Sequence, residues 1–192
     1  GEGGAVLTNS KKLYQRLLLL RNHGLHKNKQ GQNVMTTFGY NFRLTDIQSA
    51  LGISQLTKID TFIKQRRRIV KWYKNELGNL KQIILPREKR ENYASWHLYV
   101  IRTKIASTRD KLAAFLIKNG IGANFHYPAI YKQPYYKKIG YKKICLPNEE
   151  IYQATCLTLP CYFNLTKKEV IKTANLIKKY FLQWKKTKNK FL

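Results

Sequence analysis

Three cysteines, four histidines and ten acidic residues are the groups of this 192-residue chain that could act as nucleophile, metal ligand or acid–base pair. Their spacing argues against each. Cys145, Cys156 and Cys161 are odd in number and irregular in spacing, which fits free thiols in a reduced, intracellular protein. His23 and His26 have no cysteine pair nearby, so no zinc or other metal site is expected. No nucleophile stands in a pattern against a base, and no two carboxylates are spaced for acid–base work. Gly1-Glu2-Gly3-Gly4 is too short to be a phosphate-binding loop.

Charge is the strongest compositional signal: 37 Lys and Arg against 10 Asp and Glu, a formal +27. Such an excess suggests a polyanion such as nucleic acid. Its densest clusters are Arg66-Arg67-Arg68 and the tail Lys185-Lys186-Thr187-Lys188-Asn189-Lys190. The rest is Lys scattered along the whole chain beside many Asn, Ile and Tyr, a mixture that biased codon usage also produces. No nucleic-acid reading motif accompanies it. Specific nucleic-acid binding is therefore not expected, whereas weak adhesion at low salt is. No apolar run approaches the roughly 18–20 residues of a membrane span. Gly1 is no initiator methionine and Gly-Glu-Gly-Gly-Ala no signal sequence, so the sequence is expected to continue upstream, in a cytoplasmic protein.

The elements that would position any site alternate between strand and helix. Ala5-Val6-Leu7 reads as a strand, and Thr8-Asn9-Ser10 as the cap of a helix ending at Asn22-His23-Gly24. Residues 25–38 read as a polar loop. Thr45-Asp46-Ile47-Gln48 has the spacing of a capping box, and helical periodicity then runs unbroken to Leu77 and Gly78, a long bridging helix. Strands are expected at 96–101, 121–126 and 157–159. Helices are expected from Thr108 to Gly120, at about 149–156, and after the second capping box Thr166-x-x-Glu169.

Five collinear segments carry a resemblance: Gly1-Glu2-Gly3-Gly4-Ala5, Arg21-Asn22-His23-Gly24, Gly39-Tyr40-Asn41-Phe42-Arg43-Leu44-Thr45-Asp46, Trp96-His97-Leu98-Tyr99 and Gly122-Ala123-Asn124-Phe125-His126-Tyr127-Pro128. Gln133-Pro134-Tyr135-Tyr136 and Leu159-Pro160 extend it. Together they resemble the DegT/DnrJ/EryC1/StrS group, pyridoxal-phosphate-dependent aminotransferases of nucleotide-linked sugars. The resemblance implies an α/β protein of the fold-type-I transferase class. Residues 1–65 would finish the large cofactor-binding domain with the bridging helix, and 66–192 would form the small α/β domain. It also implies a homodimer with active sites at the subunit boundary, and an amino group passed from a donor such as glutamate to a keto sugar, for surface polysaccharides. The family's Schiff-base lysine lies a few residues before the Glu-Gly-Gly segment, so it is expected upstream of Gly1, and residues 1–192 alone are expected to be inactive.

Carried over by position, Asn41 matches the asparagine that reaches the cofactor phosphate of the other subunit, and Arg43 an arginine facing the sugar nucleotide or dicarboxylate. His126 and Tyr127 match a segment on the substrate side. Each has a plainer reading: Asn41 as a turn residue ahead of a helix, Arg43 as one more solvated cation, His126 and Tyr127 as a strand end before Pro128. Trp96 and His97 read as core or supporting residues, and His23 receives no role. Two other functions stay open: an inactive product of a split gene, and a basic nucleic-acid-binding module.

Overall fold

The computed structural model describes residues 2–188. Gly1 and the side chains of the basic tail at 185–190 lie outside the described residues. The chain divides into two compact units, Gly1–Ile59 and Asp60–Leu192.

In the first unit Ser10 opens helix α1 (Lys11–Arg21), its Oγ accepting the Leu13 N–H at 3.3 Å. Ala5-Val6-Leu7 is not the strand expected. Val6 and Leu7 are 68% and 93% exposed, and without a partner's ladder an apolar run has no reason to extend. The loop expected over 25–38 is a hairpin, β1 (Leu25–Lys27) antiparallel to β2 (Asn33–Met35). One side chain shapes its turn: Asn28 Oδ1 accepts the N–H groups of Gln30 at 3.0 Å and Gln32 at 2.9 Å.

Thr45 and Gln48 cap helix α2 (Asp46–Leu56) reciprocally, as their spacing predicts. The helix does not run on to Leu77. It breaks at Thr57-Lys58 and restarts as α3 (Ile59–Leu77). At the break Thr57 Oγ1 donates to the Ser54 carbonyl at 2.8 Å, and the Lys58 N–H reaches back three residues, to Gln55 O at 3.0 Å. Neither α1 nor α2 buries a residue, and Ile47, Leu51, Ile53 and Leu56 of α2 are all exposed.

The second unit holds a real core. In chain order it adds β3 (Ile83–Ile84), β4 (Tyr99–Thr103), α4 (Arg109–Lys118), α5 (Pro134–Lys138), α6 (Pro147–Thr155), β5 (Cys156–Leu159) and α7 (Lys167–Lys188). The strands form one antiparallel sheet, β3–β4–β5. Alternation on β4 buries Tyr99, Ile101 and Thr103, while β5 is buried at every residue. Ile69, Tyr73 and Leu77 of α3, four apart and so on one face, meet Leu112 and Leu116 of α4 and Val170, Ala174 and Ile177 of α7 in one cluster. Tyr73 stacks on Tyr99 at 4.7 Å and donates to the Pro160 carbonyl at 3.0 Å. Burial raises the pKa of both phenols, which keeps them neutral. The Thr166–Glu169 box caps α7 as predicted.

Two expected strands are corrected. The first starts at Tyr99 rather than Trp96, because Trp96 takes a left-handed φ of 52° that ends extension. The second, 121–126, reduces to a single bridge between Asn124 and Thr158. The Phe125 N–H is engaged by the Asn124 side chain at 2.7 Å and Pro128 has no N–H, so no ladder can grow.

The arginine cluster is largely structural. One terminal nitrogen of Arg66 lies within hydrogen-bond distance of the carbonyls of Trp96, His97 and Cys161, at 3.2, 2.9 and 2.8 Å. Arg67 grips the Glu88 carboxylate with two bonds of 2.6 and 2.8 Å and lies 4.3 Å from the Tyr93 ring centre. Glu88 also accepts the Ala94 N–H at 2.5 Å. Arg67, then that backbone donor, hold the Glu88 carboxyl down at about 2, from an ordinary 4.5. A depressed carboxylate stabilises the fold fully above its unfolded pKa and loses that contribution as pH falls through the folded one. The loss therefore falls between pH 4.5 and about 2. Acid titration of stability should show Glu88→Gln with a shallower decline in that window. An unchanged slope would remove the pair from the acid response.

Among the described residues no helix is long and apolar enough to cross a membrane, and no group of three or more His, Cys, Asp or Glu is placed to hold a metal. The cysteines are free: Cys145 exposed, Cys161 half-buried and Cys156 buried.

Candidate functional site

Asn41 and Arg43 are set by a contact between two glycines. Segment 39–42 lies against the end of α1, where the Tyr40 N–H reaches Leu20 O at 2.7 Å, the His23 N–H reaches Tyr40 O at 2.9 Å and the Phe42 N–H reaches Arg21 O at 3.0 Å. Asn41 itself bridges Asn22. Such closeness requires the absence of side chains. A Cβ on Gly39 would come within 2.8 Å of the His23 carbonyl carbon and 2.9 Å of Leu19 O. One on Gly24, whose φ is +69°, would overlap the carbonyl of Thr37. The Arg-Asn-His-Gly and Gly-Tyr-Asn-Phe-Arg segments are thus two halves of one turn, which gives His23 a backbone role at its left-handed φ of 55°.

From that turn the Arg43 Nε–H donates to Asn41 Oδ1 at 3.1 Å. A guanidinium only donates, so the Asn41 oxygen must face it and the Nδ2 hydrogens are left for another acceptor. Asn41 does not cap α2; Thr45 does. Both Asn41 and Arg43 are exposed. An amide donor beside a guanidinium, with no carboxylate hydrogen-bonded to either among the described residues, is a donor set that suits a phosphate oxygen. The phosphate end of pyridoxal phosphate fits it. Sequence reading passed over the aromatic ladder at alternate positions: Phe38 meets Tyr40 edge-on at 4.9 Å, and Tyr40 stacks on Phe42 at 4.6 Å. Its signal is the plain alternation of 38, 40 and 42.

His126 and Tyr127 belong to the second unit. Phe125 lies 4.3 Å beneath the Arg109 guanidinium. Asn124 exchanges main-chain bonds with Thr158 of β5 at 2.8 and 3.3 Å. His126 Nδ1 lies 2.7 Å from Thr158 Oγ1, leaving Nε2 as the ring's other polar atom. The His126–Tyr127 peptide is cis, the two rings meet edge-on at 4.6 Å, and Tyr127 is exposed. Each of these neighbouring pairs is brought together within its own unit: Asn41 with Arg43, His126 with Tyr127. His97 offers its carbonyl to Arg66, and Trp96 packs against the core beside Tyr99.

Comparison with known proteins adds a lineage. Residues 1–178 match the profile of the DegT/DnrJ/EryC1/StrS aminotransferase family. A UDP-4-amino-4,6-dideoxy-N-acetyl-beta-L-altrosamine transaminase of Campylobacter jejuni is 34% identical over 170 residues, 88% of this chain and 45% of its own length. The solved structure of Helicobacter pylori PseC, an aminotransferase involved in pseudoaminic acid biosynthesis, superposes with a TM-score of 0.84 at 29% identity, over 92% of this chain and 48% of that one. Spr1654 of Streptococcus pneumoniae in its PMP form superposes at 0.80 with 26% identity, over 93% and 46% of the two chains. The chain spans about half the length of the relatives it matches.

Proposed function

Because the chain belongs to the DegT/DnrJ/EryC1/StrS aminotransferase family, we propose that it is the C-terminal portion of a pyridoxal-phosphate-dependent enzyme that transfers an amino group to a keto group of a nucleotide-linked sugar. Glutamate is the donor in this reading, the setting is cytoplasmic surface-polysaccharide synthesis, and the working unit is a homodimer. The observation that carries it is the Asn41–Arg43 pair, whose exposed donors match an anion and whose placement depends on two glycines within the stretch that matches the family.

When bound, pyridoxal 5'-phosphate would supply an electron sink for the pair released as a proton leaves the carbon that bears the amino nitrogen. The residues here bind and orient. Asn41 Nδ2 donates to a phosphate oxygen, supplied across the dimer to the partner's site. Arg43 turns its fork toward the sugar-nucleotide diphosphate or the dicarboxylate donor. His126 and Tyr127 line the substrate side with a ring nitrogen and a phenol. The domain division proposed is the end of the large domain through about residue 65, with the small domain from 66 to 192.

Asn41→Ala in an enzyme that carries the upstream lysine tests this. Losing one hydrogen bond to a charged group should raise the cofactor concentration for half-maximal activity about ten- to a hundredfold, with little change in kcat at saturation. Unchanged cofactor affinity would remove Asn41 from the phosphate.

A further inference from the structure

We propose that Thr158 is the positioning residue of His126, holding its imidazole by Nδ1 so that Nε2 is the nitrogen offered to the sugar substrate. The inference rests on the reading above, in which His126 faces that substrate.

The geometry is local and specific. Thr158 lies in β5, buried at every position, and is itself 7% exposed. Its backbone N–H donates to Asn124 O at 2.8 Å and its carbonyl accepts the Asn124 N–H at 3.3 Å. Its hydroxyl, 2.7 Å from His126 Nδ1, has that ring as its partner. One residue on a rigid strand therefore holds both the backbone that carries the histidine and the ring itself, while Arg109 covers the intervening Phe125 from α4.

A hydroxyl suits this task better than a carboxylate or an amide. It donates to Nδ1 when the ring is neutral with its proton on Nε2, and accepts from Nδ1–H in the other tautomer or in the imidazolium. The ring thus keeps one orientation through a change of protonation, and no buried charge is added. Valine keeps the shape of threonine but leaves a half-buried nitrogen without a partner and the ring free to turn.

The test has two arms. In the 192-residue chain labelled with 15N-histidine, the four histidines are few enough to assign, His126 by the signal lost in His126→Asn. Thr158→Val should move the His126 ring nitrogens toward values of free imidazole while His23, His26 and His97 stay put. Thr158→Ser should return them, and Thr158→Ala is the second hydroxyl-free variant should valine impair folding. In the lysine-bearing enzyme, Thr158→Val should raise KM for the sugar nucleotide about tenfold, the effect of one hydrogen bond, with cofactor affinity unchanged and serine restoring it. Ring nitrogens that do not respond to valine or alanine overturn the proposal. Ring nitrogens that respond while KM does not confirm that Thr158 holds His126, and instead remove His126 from the substrate side.

Discussion

Residues 1–192 alone are expected to turn over no keto-sugar nucleotide with glutamate, and to leave added pyridoxal phosphate with the spectrum of the free aldehyde. Transamination needs a lysine amine to hold the cofactor, to be displaced by the donor, and to carry a proton between substrate and cofactor. On the function proposed above, that amine is supplied by a lysine ahead of the Glu2-Gly3-Gly4 segment and not by any lysine within residues 1–192. The abundant lysines here are no substitute, because the amine must be within bonding reach of the aldehyde and partly desolvated to be nucleophilic. Joining the upstream segment that carries the lysine should restore both the visible absorbance and turnover. Turnover by residues 1–192 alone would show that the lysine is misassigned, and a joined enzyme that binds cofactor without turnover would favour a decayed gene product.

The second large effect concerns ownership of the site. If Asn41 serves the partner's cofactor while His126 serves its own subunit's substrate, two variants of the lysine-bearing enzyme, assayed at cofactor and sugar-nucleotide concentrations well below what each variant needs, should rescue each other. In a heterodimer of Asn41→Ala and His126→Ala, one site collects both lesions and the other collects neither. Random exchange makes half the dimers mixed, so under those limiting concentrations activity should rise to about a quarter of wild type, from a small residue for either variant alone. Failure of the mixture to exceed its parents, with exchange shown by mass spectrometry, would place both residues in the same protomer's site.

How far the sequence foretold these features depends on how local their causes are. Both capping boxes and the ends of α1, α3 and α4 were legible because cap chemistry lies within four residues of the helix it serves. The break at Thr57-Lys58 was not, since apolar spacing continues across it and the competing Thr57 hydroxyl leaves no periodic trace. The hairpin escaped because its turn is closed by Asn28 rather than announced by apolar alternation. Arg66 and Arg67 looked like surface charge. Their carbonyl and carboxylate partners lie 21 to 95 residues away, beyond what local spacing can reveal. Asn41 and Arg43 were found through family resemblance, and the bond between them became visible only in three dimensions. Thr158 gave no signal, being one threonine inside a buried strand.

The paired glycines under Asn41 also speak to inheritance. A single-base missense change in a glycine codon yields alanine, valine, serine, cysteine, arginine, tryptophan, aspartate or glutamate, all of which carry a Cβ. At Gly39 that carbon meets backbone on the other side of the turn, and at Gly24 it meets backbone in a left-handed conformation. No single-base missense change at either codon escapes the clash. Substitution of the residues around this turn can leave it standing, whereas a changed letter at position 24 or 39 marks a descendant in which the turn itself has been lost.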